Sequence, residues 1–253
     1  MELEVIVKRL VEALVNVDEK TTTIHESRSG SGAYLPCVGT IWEDDFTREA
    51  IIDWNENHPD DFSGFSKEWL EMKYPTRRGN CDLCIRSTDY TPDIGEPAYE
   101  WAIEMKYVRF VGDNGKNNDY GVTKVASPYR KDRSSVLDAE RLGEFDLAKR
   151  KAIVMYGFEF DSASYDHAVH WCETNSTGEE QIKNLGKAKN MKGVLHKEDP
   201  DTHHMSMLDL VPLFEAAVGV RKIKLSKLQH KAFDGLMRHP LYRKGRILAW
   251  EVL

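Results

Sequence analysis

The chain predicts an α/β protein with a mixed central sheet flanked by helices. Three observations carry that expectation. Residues 99–110 and 152–160 are strand-like runs rich in aromatic and β-branched side chains. Ile41, Trp42, Phe46, Ala50, Ile51 and Trp54 recur at the spacing of one helical face. Ser135-Val-Leu-Asp138 has the form of a capping box that opens a further helix.

The elements follow in order along the chain. Residues 1–17 read as an amphipathic helix, and the Ile41–Trp54 pattern as a second. Residues 67–74 read as a strand, closed by the turn-forming 75–79, which contains Pro75 and Gly79. A short strand over 78–85 places Asp82 near its start. The Pro92, Asp93 and Gly95 cluster then has the composition of a hairpin turn leading into the strand at 99–110. Residues 111–134 are loop-like, with dense Gly, Asn and Asp. The capped helix from Ser135 is expected to run to about Arg150, and 152–160 to be a strand buried on both faces. Residues 161–219 read as mainly helical. Leu225, Leu228, Ala232 and Leu236 mark a helical stripe stopped by Pro240, and 246–253 reads as a closing strand.

At 253 residues and 41% hydrophobic content, the chain can bury a sizeable core. It shows no long apolar run and no secretory pattern at its N-terminus, so a cytoplasmic protein without membrane insertion is expected. Cys37, Cys81, Cys84 and Cys172 are too few for a disulfide framework at this size and are expected as buried thiols. A zinc site at Cys81 and Cys84 would need two further ligands from afar, because no second Cys-x-x-Cys follows.

Chemistry concentrates on one strand face. Side chains alternate along a strand, so Glu104 and Lys106 share a face while Trp101, Ile103, Met105 and Tyr107 take the other. A hairpin turning near Asp93 brings Asp82 opposite Glu104. Asp93 itself is a rival acid, but Gly95 and Pro97 argue against the strand it would need. Two carboxylates and an ammonium so placed suit metal-assisted phosphodiester hydrolysis. Asp82 and Glu104 would hold Mg²⁺, with Mn²⁺ as substitute, and Lys106 would orient or deprotonate the attacking water and offset charge on the phosphate.

With Asp82, Glu104 and Lys106 the chain resembles the PD-(D/E)xK nuclease superfamily, whose core is helix, three antiparallel strands, helix, strand. The resemblance spans about residues 40–160, between an N-terminal helical segment at 1–39 and an extension at 161–253. It implies a metal-dependent DNA endonuclease, in a restriction or defence setting. Relatives carry one more acid on the first helix, for which Glu49 is the choice, with Glu43 and Glu12 as alternatives. RNA cleavage, and a non-catalytic interaction protein of the same fold, are the other readings.

The net charge of −7 does not at first suggest a polyanion partner. Its distribution does. Residues 1–104 hold 22 acids and 10 bases, whereas 221–246 hold nine Lys and Arg against Asp234 alone. Lys222, Lys224 and Lys227, together with Arg130, Lys131 and Arg133 of the long loop, are the candidate phosphate contacts. Double-strand cleavage would further imply a homodimer, one site per strand.

Overall fold

The computed structural model describes residues 1–22, 34–66, 69–75, 79–116, 125, 127, 134–195 and 205–253. Helix α1 (Leu3–Lys20) buries Leu3, Ile6, Val7, Leu10, Leu14 and Val17, a stripe at three- and four-residue spacing. Helix α2 (Glu43–Asn57) begins with Glu43, Asp44 and Asp45, which suit the positive end of the helix dipole, and buries Phe46, Ala50, Ile51 and Trp54. Both helices anticipated from these patterns therefore form.

Six strands make one sheet in the order β1-β2-β3-β4-β6-β5. They are β1 (Leu70–Lys73), β2 (Asn80–Ile85), β3 (Tyr99–Val108), β4 (Ala148–Phe158), β5 (Gln229–Phe233) and β6 (Gly245–Glu251). β1, β2 and β3 pair antiparallel, β4 joins β3 in parallel, and β6 and β5 add two antiparallel neighbours. The crossover from β3 to β4 carries helix α3 (Ser135–Glu144). The predicted mixed sheet with flanking helices is the observed architecture.

Helices cover both faces. Trp101 and Tyr107 lie on one face of β3, where Trp101 Nε1 donates to the Met1 carbonyl and Tyr107 stacks on Tyr156, itself 4.3 Å from the Phe46 ring of α2. Glu104 and its parallel neighbour Ile153 lie on the other, with α3 and with helix α6 (Val211–Val220), whose Phe214 packs 4.8 Å from Trp250. Such burial stabilises by about 1.5–3 kcal/mol per large apolar side chain. β3 and β4, covered on both sides, are almost continuously buried, as a parallel pair requires. Gly157 in β4 admits no side chain, because a Cβ there would stand 2.5 Å from the Val108 carbonyl oxygen. Helices α4 (Ser162–Asn175) and α5 (Gly178–Leu195) pack on one another beyond β4. No helix among the described residues is long and apolar enough to cross a membrane.

Three boundaries differ from the sequence reading. Helix α3 ends at Glu144 rather than near Arg150, and β4 starts at Ala148, because residues 148–151 pair with β3 and the ladder overrides their helix propensity. The helix starts one residue early as well. Ser134 is its cap, accepting the Val136 N–H at 3.3 Å, and Asp138 is released from the expected capping role. The Leu225 to Leu236 stripe is no helix: residues 229–233 are the edge strand β5, with Phe233 buried and His230 and Lys231 exposed. Charged side chains on an edge strand oppose pairing with other chains. The expected closing strand does form, as β6, and pairs with β4 along seven residues.

Candidate active site

β2 and β3 part company where Asp82 meets Glu104. Their ladder runs through Ile85–Trp101, Cys84–Ala102 and Leu83–Ile103. One step further, the Asp82 carboxylate accepts the Met105 N–H at 2.7 Å, a side chain standing in for a backbone partner. The two carboxylates lie within hydrogen-bonding reach of each other. Glu104 is 3% exposed, accepts the Tyr74 hydroxyl at 2.5 Å and lies 3.4 Å from the Arg141 guanidinium.

Two acids crowded in a buried place do not both ionise readily. Burial pushes Asp82 up to about 6 against the opposing pull of Lys106, and burial together with Asp82 and Asp138 raises Glu104 as well. The pair titrates as a unit that retains a proton well above the usual carboxylate range.

Lys106 shares their strand face, as alternation predicts. Its Nζ lies 2.8 Å from Glu43 and 3.7 Å from Asp138. Burial alone would lower its pKa, but Glu43, Asp138 and Asp82 outweigh that and raise it, so the ammonium persists. Glu43 is the first residue of α2 and also accepts the Tyr107 N–H, which fixes the helix end against β3. Asp138, 4% exposed, is bonded to Arg141 one helical turn later, and Arg141 bridges it to Glu104. Tyr74, Glu43, Asp138 and Arg141 thus surround the predicted triplet. For Asp138 and Arg141 the chain does carry a signal, an i,i+3 spacing that puts both on one face of α3.

Glu49 is not brought to the triplet. Its side chain is 55% exposed beside Arg48, and six residues along a helix places it about 240° round the axis from Glu43. Of the two alternatives, Glu43 reaches the site, while Glu12 is engaged with Arg9 and His58. Asp93 is exposed in the turn before β3. A cavity of about 450 Å³ lies between α1 and α2, lined by Lys20, Glu49 and Asp53, and contains none of the triplet. The four cysteines are buried free thiols, and Cys81 Sγ turns to the Ile103 carbonyl at 3.4 Å.

Neither a family model, a curated protein nor a solved structure matches this chain. The site must be read from its own chemistry.

Among the described residues, no group of three or more His, Cys, Asp or Glu side chains forms a ready cage for a metal ion. The Asp82 and Glu104 donor set suits Mg²⁺ nonetheless, since that ion commonly takes one or two carboxylates and completes its shell with water and phosphate oxygens. Burial and mutual repulsion raise both carboxylates, so a bound cation would compete with the proton they retain. Lys222, Lys224 and Lys227 are exposed and precede β5, three strands away from β3, roughly 14 Å across the sheet. The structure does not bring them to the carboxylates. Arg130, Lys131 and Arg133 lie outside the described residues.

Proposed function

We propose that this protein is a Mg²⁺-dependent DNA endonuclease of the PD-(D/E)xK kind. The observation that carries the reading is the pairing of Asp82 with Glu104 where β2 and β3 part, with Lys106 beside them on the same strand face. The element order α2-β1-β2-β3-α3-β4, with the first three strands antiparallel and the fourth parallel to β3, supports it.

Asp82 and Glu104 would hold the ion, and Mn²⁺ would substitute. When bound, the ion supplies Lewis acidity to the scissile phosphate and makes its water more acidic. The protein's own groups do the rest. Asp82 and Glu104 must first lose their shared proton. Lys106, kept charged by Glu43 and Asp138, offsets negative charge on the phosphate and orients the water. Tyr74, raised by burial and by Cys81 and Glu104, stays protonated and holds Glu104 in place through its hydroxyl. Double-strand cutting would require a homodimer. Buried free thiols accord with a cytoplasmic location.

A second reading has its own support. Lys106 is already engaged by two carboxylates, as in a structural ion-pair network, and a non-catalytic interaction protein would need no more. The deciding experiment is cleavage of plasmid DNA, single-stranded DNA and RNA in Mg²⁺ and Mn²⁺. Asp82→Ala and Glu104→Ala should each reduce the rate at least about 100-fold, and Lys106→Ala should lower kcat more than it raises KM. Wild-type protein inert on every substrate, or variants that cut as fast as it does, would leave the interaction-protein reading standing.

A further inference from the structure

A second cavity opens beside the metal-site candidate. It has a volume of about 330 Å³ and is lined by apolar Ile52, Phe65 and Leu70, by the carboxylates of Asp44, Glu71 and Asp82, and by Thr47 and the Arg48 guanidinium. Asp82 therefore belongs to both the carboxylate pair and the cavity wall. Whatever fills the cavity is continuous with a group bound at Asp82. The volume is at the low end for small-ligand pockets, enough for one nucleoside and not for a stacked base pair.

The lining is chemically mixed in a way that suits one occupant. Phe65 is half-buried and is braced edge-on by Trp69 at 5.7 Å, which leaves an aromatic side chain on the cavity wall. Aromatic side chains bind nucleobases by stacking, whatever the base. Asp44 and Glu71 are exposed carboxylates that accept hydrogen bonds, Arg48 donates them, and together they can meet the mixed donor and acceptor edge of a base. Glu71 stands opposite Asp82 in the β1–β2 register, which brackets it between Leu70–Leu83 and Met72–Cys81, and it is held at φ 53°. An L-residue rarely adopts that conformation. Three carboxylates face one guanidinium in the lining, and that guanidinium, Arg48, is engaged by Asp45, so an uncharged base suits the cavity better than a phosphate, which needs the metal ion at Asp82 and Glu104 to approach them.

We infer that this cavity takes a single unstacked nucleobase next to the scissile phosphate, and that the enzyme acts on single-stranded, frayed or flipped nucleotides in preference to an intact duplex. The inference rests on the nuclease reading above and adds its substrate class. Extraction of a base from a duplex costs unstacking energy, which a single strand or a frayed end does not incur.

Two measurements separate the inference from the reading beneath it. The first is kcat/KM in Mg²⁺ on a single strand and on a blunt duplex of the same sequence. The single strand should be preferred about tenfold or more, and Phe65→Ala should collapse the preference. Ile52→Trp, which fills the cavity from α2, should collapse it too and serves if Phe65→Ala does not fold. Equal rates on both substrates, or a preference unmoved by Ile52→Trp, would overturn the inference. The second measurement needs no cleavage: fluorescence of 2-aminopurine in a short single strand, titrated with protein in Ca²⁺. Quenching by wild type that disappears in Phe65→Ala or Ile52→Trp supports the pocket even if no substrate is cut, in which case the nuclease reading alone has failed. An absence of quenching with wild type overturns the pocket while the cleavage reading stands.

Discussion

At Asp82 a single proton decides between two states of the site. Its pKa rises from 3.8 in the unfolded chain to about 6 in the fold, so the folded protein keeps a proton that the unfolded chain has released. Stability contributed by this group is therefore greatest below pH 4 and falls as pH rises towards 6 and beyond. Asp82→Asn removes the buried charge, while its amide oxygen can still accept the Met105 N–H. The metal-free variant should be more stable than wild type at pH 7, by about 1 kcal/mol after allowance for partial solvent access, and the gain should vanish near pH 4. Urea titrations at the two pH values measure it. Mg²⁺ should reverse the order, because a ligand that binds only the folded state stabilises it and the variant has one carboxylate fewer to hold the ion. The same linkage predicts metal affinity that rises with pH through about 6, since the pair must release its proton to bind. Calorimetric titration of metal-free protein would show it, and a pH-independent affinity would remove Asp82 from the site.

Elements are joined away from the site by a second buried network. Asp113, just beyond β3, accepts from Lys187 of α5 at 2.9 Å and from His239 at 2.9 Å, and His239 and Lys187 are buried. The Leu241 N–H donates to His239 Nδ1 at 3.1 Å, which places the ring proton on Nε2, facing Asp113. Burial lowers the His239 pKa against the pull of Asp113, whereas hydrogen bonds and charges from His239 and Lys187 overcome burial at Asp113 and lower it to about 2. Both shifts run in the same direction for stability. The unfolded chain takes up protons first, so stability falls as pH drops below about 6.5 through His239, and again from 3.8 towards 2 through Asp113. Asp113→Ala leaves Lys187 buried and unpaired, and should cost about 3 kcal/mol in chemical denaturation at neutral pH. A destabilisation below about 1 kcal/mol would show that α5 is held by apolar packing instead.

On the scale of the whole molecule, the basic segment and the carboxylate pair are set apart. The carboxylate pair sits between β2 and β3, while Lys222, Lys224 and Lys227 occupy the approach to β5 at the far edge of the sheet. A nucleic acid touching both would lie across three strand spacings. Replacing the three lysines with Ala should weaken binding for all sequences and reduce the salt slope by about one unit for each phosphate that is no longer neutralised, as read from binding titrations over a range of salt. An unchanged affinity and slope would assign these lysines to the solvated surface alone. Light scattering with and without DNA would test the dimer that paired cuts require.

Much of this arrangement is legible in the chain itself. Asp82, Glu104 and Lys106 emerge from local rules: alternation along a strand, the turn chemistry around Asp93, and the one residue of β2 that faces Glu104. Both flanking helices follow from apolar spacing. The rest depends on interactions across long stretches of chain, which no local period encodes. Glu43 reaches Lys106 from 63 residues away, and Tyr74 reaches Glu104 from 30. Glu49 and Glu43 look alike on a helix pattern, and only the docking of the first turn of α2 on β3 selects Glu43. Asp138 fits a capping motif until the docking of α3 on the sheet sets it beside Lys106, and residues 229–233 become a strand because β6 offers an edge to pair with. Periodicity fixes which face a side chain takes; tertiary packing decides which partner waits there.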